Sequence, residues 1–222
     1  MKITEICVLG VIHSFHKNNK NYSYDDVFKT IERFGPDVIG IEIRPEDINE
    51  DCNYLTKYYP YEMIEAKLKF QNKCKVYGFD WFSQESEGKL LWDGFFDNKI
   101  KLEKDFETDI VYERERKALE VNDKMRLDLV LTSNISEINS YKYDILSSLY
   151  YKQLNILLNG SPYEKLSELY GNRDVHIGKN INNIIKENLG KKILLLMGAD
   201  HRVFAINSIK ENIKENIIFI SV

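Results

Sequence analysis

No run of this 222-residue chain is apolar over the roughly 18 residues that a membrane-spanning helix requires. Glu5 and then His13 interrupt the amino-terminal apolar stretch before it reaches the length of a signal-peptide core, so the sequence predicts a cytoplasmic protein with no membrane partner. Cysteine is scarce. Cys7, Cys52 and Cys74 are odd in number, stand at unrelated spacings and form no Cys-x-x-Cys pair, which argues against a disulfide frame or a zinc-ribbon pattern and fits reduced thiols. Four prolines and the lack of any Gly/Ser-rich tract leave no obvious place to divide the chain, so residues 1–222 read as one domain. With 31 basic and 35 acidic residues the net charge is −4, without the basic surplus that a nucleic-acid-binding face calls for. A P-loop and a kinase-type glycine pattern are also missing, which ranks phosphoryl transfer last among enzyme classes.

What is present reads as α/β. "EICVLGVI" is a buried strand, "YSYDDVFKTIERFG" a helix with Val27, Ile31 and Phe34 at helical spacing, and "DVIGIEI" a second strand after the Gly35-Pro36 breaker. "PYEMIEAKLKFQNK" is a helix opened by Pro60, and "KVYGFD" a short third strand. Strand–helix repeats with short joints predict a mostly parallel central sheet flanked by helices. From about 84 to 190 the pattern turns helical and highly charged, with i,i+4 opposite charges as in "YERERKALE" that support a solvated helix face. This block reads as an insertion capping the carboxyl ends of the strands. The α/β pattern resumes with "KKILLLMGAD", a helix through "RVFAINSIKENIKE" and a last strand "NIIFISV".

Ligands of open α/β sheets bind beyond the carboxyl ends of the strands. There the first strand carries His13, the second Glu42 and Arg44, the third Asp80, and the late strand Asp200 and His201. Glu42 and Arg44 share a parity, so they lie on one face if the strand persists. Both histidines end a Gly-x-x-His step, "GVIH" and "GADH". With eleven glycines and four histidines, chance gives about 0.2 such steps in the chain, so two at matching positions are informative.

Paired Gly-x-x-His motifs, a glutamate after "PDVIGIE" and an arginine in "NRDVHIGKNI" resemble the TraB/PrgY, GumN and Tiki group, within the wider superfamily of ChaN-like and erythromycin-esterase-like proteins. The resemblance covers about residues 4–44 and 172–205, with weaker agreement around "VYGFD". It implies an α/β core with a helical insert and a pocket at the strand tips. Tiki-type members are described as metal-dependent proteases, and erythromycin esterases as hydrolases that use a histidine to activate water. Carried over, the motifs give His13, Glu42, His201 and Arg173. The chain departs from the group in the "GADHR" motif, where many relatives have a small residue in place of Asp200, and in the membrane segments of several relatives, which it lacks.

The residue types alone permit the same chemistry. A neutral imidazole takes a proton from water, a carboxylate fixes its tautomer or acts as base, and an arginine fork holds a substrate carboxylate or a developing oxyanion. The expectation is a hydrolase of amide or ester bonds acting on a small-molecule or peptide substrate. His13 and Glu42 activate water or, with His201, hold a divalent metal (Mn, Co or Zn), while Arg44 and Arg173 orient the substrate. Asp80, Asp200 and His16 are candidates for supporting positions, though His16 reads more simply as a loop histidine facing solvent. Asp174 reads as a first-turn helix acid, and His176 beside it as incidental. The tyrosines of "YLTKYYPY" (Tyr54, Tyr58, Tyr59, Tyr61) line a pocket entrance or pack with wet hydroxyls. The competing reading is a non-catalytic module that holds a small anion or haem in the same pocket.

Overall fold

The computed structural model describes residues 2–222. Its strands are β1 (Thr4–Val11), β2 (Val38–Ile41), β3 (Lys75–Gly78), β4 (Lys192–Gly198) and β5 (Ile217–Phe219). They form one sheet in the order β3-β2-β4-β1-β5, with every pair parallel. The helices are α1 (Tyr24–Phe34), α2 (Cys52–Tyr58), α3 (Tyr61–Phe70), α4 (Asp97–Thr108), α5 (Glu113–Thr132), α6 (Ile135–Ile138), α7 (Tyr141–Leu158), α8 (Glu164–Glu187) and α9 (Arg202–Asn212). Among the described residues no helix is long and apolar enough to cross a membrane.

The central strands β1, β2 and β4 are buried on both faces, as strands of parallel sheets are, so they are apolar runs and not alternating ones. Cys7, Leu9 and Val11 of β1 pack with Val27 and Ile31 of α1 and Met63 and Ala66 of α3. Ile6 and Val8 point the other way, against Ile177, Ile181 and Ile185 of α8 and Ala205 and Ile209 of α9. The capping box of Ser23 and Asp26 starts α1, and Gly35 in the left-handed region ends it.

Two departures from the sequence reading matter for the site. First, β2 stops at Ile41, and the Ile43 amide turns back onto the Ile41 carbonyl, so the extended segment does not reach Arg44. The parity shared by Glu42 and Arg44 therefore has no strand to act through. Second, α8 runs unbroken through Gly171, where the sequence reads as two helical pieces. Its carboxyl half covers the sheet and its amino half extends past the strand tips into the helical insertion. Asp174 and His176 thus lie in mid-helix, not in a first turn.

Candidate active site

The first Gly-x-x-His step places His13 directly after β1, at the start of a single 3-10 turn (His13–Lys17) with φ +50. That left-handed conformation is uncommon for a side-chain-bearing residue. It turns Nδ1 onto Glu62 Oε1 at 2.6 Å. Glu62 belongs to α3 and is wholly buried, and its other oxygen has no hydrogen-bond partner among the described residues. Nε2 faces Gly198: a Cβ built on that glycine would stand 2.7 Å from it and 3.5 Å from Glu42 Oε2.

The second step is the counterpart of the first. Gly198 donates its amide to Glu42 Oε2 at 2.5 Å. Three residues on, His201 holds Asp174 Oδ1 through Nδ1 at 2.7 Å and presents Nε2 3.6 Å from Glu42 Oε1. The glycines also interlock, since a Cβ on Gly10 would meet the Ala199 Cα at 2.9 Å. Each motif's glycine makes room for the other motif, which is why both are glycine.

Arg173 of α8 ties the group together. Its guanidinium donates to Glu42 Oε1 at 2.6 Å and to both oxygens of Asp80 at 2.9 Å, and its Nη1 lies 3.2 Å from His201 Nε2. The structure thus brings together His13, Glu42, Asp80, Arg173 and His201, contributed by β1, β2, β3, α8 and β4. Glu42 and Asp80 are nearly sealed, whereas the His13 side chain is 39% exposed.

Electrostatics polarise these groups. Burial pushes the Glu42 carboxyl up, but the charges of His201, Arg173 and His13 and the Gly198 amide outweigh it, so the acid is held below its usual range. Burial pushes His13 down, and the Glu62 hydrogen bond with the Glu42 charge more than restores it, leaving the imidazole above 6.5. His201 is likewise raised: burial opposes protonation, while the Glu42 charge and the Asp174 hydrogen bond favour it over Arg173 repulsion. For Asp80, burial exceeds the pull of Arg173 and the pKa is raised.

Three residues expected at the site lie outside it. The Arg44 side chain, 2% exposed, spends four of its five N–H donors on Asp47 (2.7 and 2.9 Å) and on the carbonyls of Ser86 and Lys89, so its fork is committed outside the site. Tyr54 and Tyr59 donate their hydroxyls to the same Asp47, which makes these two tyrosines part of this buried anchor, whereas Tyr61 is exposed and packs on Tyr24. Asp200 turns away from the histidines and accepts from Arg126 of α5 and from Tyr143 and Tyr151 of α7, securing the helical insertion to the tip of β4. His16 is buried, not solvent-facing: Nε2 accepts from the Ile12 amide, Nδ1 donates to the Tyr22 carbonyl, and burial lowers its pKa. His176 stacks on Trp81 at 4.1 Å.

Sequence reasoning missed Glu62 and the role of Asp174. Both had a signal. Glu62 shares a stripe with Ala66 and Phe70, so an acid stands on the buried face of α3. Arg173 and Asp174 continue the buried stripe of Ile177, Gly178 and Ile181 once α8 is taken as one helix.

The donor set does not fit a divalent metal. Zinc-type ligands must converge within about 2.0–2.2 Å of one point, yet the Arg173 fork occupies Glu42 Oε1 and sits beside His201 Nε2, placing a fixed cation where the ion would go. Among the described residues no group of three or more His, Cys, Asp or Glu side chains is arranged to hold an ion.

No family model matches the chain, and no curated protein is significantly similar to it. Among solved structures it is similar to a mutant of the erythromycin esterase EreC in its open conformation, with 16% identity and a TM-score of 0.37. That alignment takes in 87% of this chain and 60% of the esterase chain, so this chain spans less than two thirds of that protein.

Proposed function

We propose that the protein is a hydrolase of ester or amide bonds that activates water with His13 and needs no metal. One observation carries this reading: two imidazoles, each oriented through Nδ1 by a carboxylate (His13–Glu62 and His201–Asp174), turn their Nε2 edges toward the same buried Glu42. An anion site or a haem pocket has no need for two such oriented pairs. The motif resemblance to a superfamily that includes histidine-dependent esterases points the same way.

In this mechanism Glu62 holds the proton of His13 on Nδ1 and leaves the Nε2 lone pair as base. Nε2 takes a proton from water as the oxygen attacks the substrate carbonyl carbon. The tetrahedral intermediate then collapses, the bond to the leaving oxygen or nitrogen breaks, and the imidazolium returns the proton to that atom. Glu42, kept anionic by Arg173 and the Gly198 amide, stabilises the imidazolium. Arg173 and protonated His201 supply the positive field in which the oxyanion develops. A raised His13 pKa suits a base that works near neutral pH.

The test is hydrolysis of a p-nitrophenyl ester and peptide-amide panel by protein dialysed against a chelator, beside His13→Ala and Glu42→Gln. Chelator-resistant activity that both substitutions abolish supports the reading. Activity that vanishes on chelation and returns with manganese, cobalt or zinc replaces it with a metal-dependent one, and inactivity on the whole panel removes it.

A further inference from the structure

Beside the reactive cluster lies a cavity of about 200 Å³ that meets it at Arg173. Its aromatic side is built by Phe82, Phe95 and Phe96, half-buried rings in edge and tilted contact at centroid distances of 4.8 to 6.0 Å. Across from them stand Leu169 and Tyr170 on α8, one turn before Arg173. The Arg173 guanidinium lies 5.3 Å from the Phe82 centroid, so the cation that binds Glu42 also forms part of this chamber. Tyr170 is held in place by its hydroxyl on Glu103 at 2.5 Å. Lys165 and Glu85 are exposed lining residues of opposite sign.

We infer that this cavity is a subsite for one aryl ring of the substrate, such as the phenyl of a phenylacetyl group or of a phenylalanine side chain. An apolar protein cavity of about 150 Å³ accepts benzene, so the present volume is sufficient for one six-membered ring. The chemistry agrees. Rings offer edge-to-face and offset partners to a further ring, and the guanidinium beside Phe82 presents a cation to its face. Lys165 and Glu85, both exposed, suit a polar tail pointing to solvent. A ring seated here abuts Arg173, which places the attached carbonyl on the side of Glu42 and the histidines. The inference rests on the hydrolase reading only for the word substrate; the binding claim stands by itself.

The experiment uses the whole chain and ligand-observed NMR titration with benzyl alcohol and with naphthalenemethanol. The unaltered protein is expected to bind benzyl alcohol saturably. Leu169 belongs to none of the three buried apolar clusters, so it can be changed without opening the core. Leu169→Trp fills the cavity and is expected to lose benzyl alcohol binding. Leu169→Ala widens it and is expected to bind naphthalenemethanol more tightly than the unaltered protein does. In hydrolysis, Leu169→Trp lowers the ratio of kcat/KM for p-nitrophenyl phenylacetate to that for the acetate ester about ten-fold or more. Absence of saturable benzyl alcohol binding, or unchanged binding in both Leu169 variants, overturns the assignment. If Leu169-dependent binding persists while no ester is cleaved, the hydrolase reading fails and the subsite stands.

Discussion

His13 Nε2 rests against the bare α-carbon of Gly198, close enough that one added methyl would stand 2.7 Å away. These residues are 185 positions apart in the chain; His13 follows β1 by two residues and Gly198 ends β4, the adjacent parallel strand, with Val11 paired to Gly198. The glycine is thus a specification for the imidazole. Gly198→Ala is expected to push the His13 ring off its axis and to lower kcat by about 10²-fold, the usual cost of an ångström of misplacement. The Gly198 amide remains to bind Glu42, so the Tm should move far less than the rate. Parallel ester kinetics and thermal melts check this; a full-rate Gly198→Ala protein would separate His13 from the chemistry.

The backbone at His13 stores strain that its side chain does not explain. A φ of +50 costs an L-residue about 1–2 kcal/mol, a penalty glycine escapes. His13→Gly and His13→Ala both remove the imidazole and both leave Glu62 buried without its partner, so their difference isolates the backbone. His13→Gly should be the more stable by about 1 kcal/mol in urea denaturation, less any glycine flexibility in the unfolded chain. Equal stabilities would mean that the turn relaxes once the ring is gone.

The His13–Glu62 pair makes a pH prediction whose sign is fixed. The folded pKa of His13 is raised, so its contribution to stability is fully present below pH 6.5, the ordinary value, and is lost as pH rises through the folded pKa. Glu62→Gln removes the hydrogen-bonded charge while burial, the opposing influence, stays. The His13 pKa then falls, the extra stability on the acid side disappears, and the acid limb of kcat/KM moves to lower pH because the base stays deprotonated further down. Imidazole NMR titration and the pH–rate profile read the same shift. An acid limb that does not move would assign the titrating base to His201.

Much of this arrangement is legible in the sequence because strand tips in a parallel sheet obey topology. Once β1, β2, β3 and β4 are recognised, His13, Glu42, Asp80 and His201 must end on one edge, and their convergence follows from strand spacing. Arg44 fails for a local reason: the chain leaves the strand at Glu42, and an arginine three residues before an aspartate finds Asp47 at closer range than the site. Glu62 and Asp174 stay hidden because their helices are judged by apolar spacing, and that habit passes over an acid on the buried stripe. His16 deceives in the opposite direction, since the tight 3-10 turn folds it back onto its own segment.

His201 is oriented from α8, which gives a test of the helix as part of the site. Asp174→Asn retains a hydrogen-bond acceptor for Nδ1 but removes the charge that, after the larger effect of Glu42, favours protonation. The His201 pKa should fall, and the loss in kcat should grow as pH rises, because the protonated form is the one that supports the oxyanion. A uniform loss at every pH would instead make Asp174 a purely geometric support.

Arg44 provides the converse test, a buried charge with no part in the chemistry. Its fork satisfies Asp47, itself fully buried, together with two backbone carbonyls that close the segment leading to Leu91. Arg44→Met leaves Asp47 charged with only the hydroxyls of Tyr54 and Tyr59, and should cost about 3–5 kcal/mol, the penalty of an uncompensated buried ion. Adding Asp47→Leu removes the orphaned charge and should restore most of that loss. Throughout, kcat per folded molecule should hold near its original value, measured at a temperature where each variant remains folded. A selective fall in kcat with stability intact would return Arg44 to the site, whereas a stability loss that Asp47→Leu repairs confines it to the frame that supports β2 and β3.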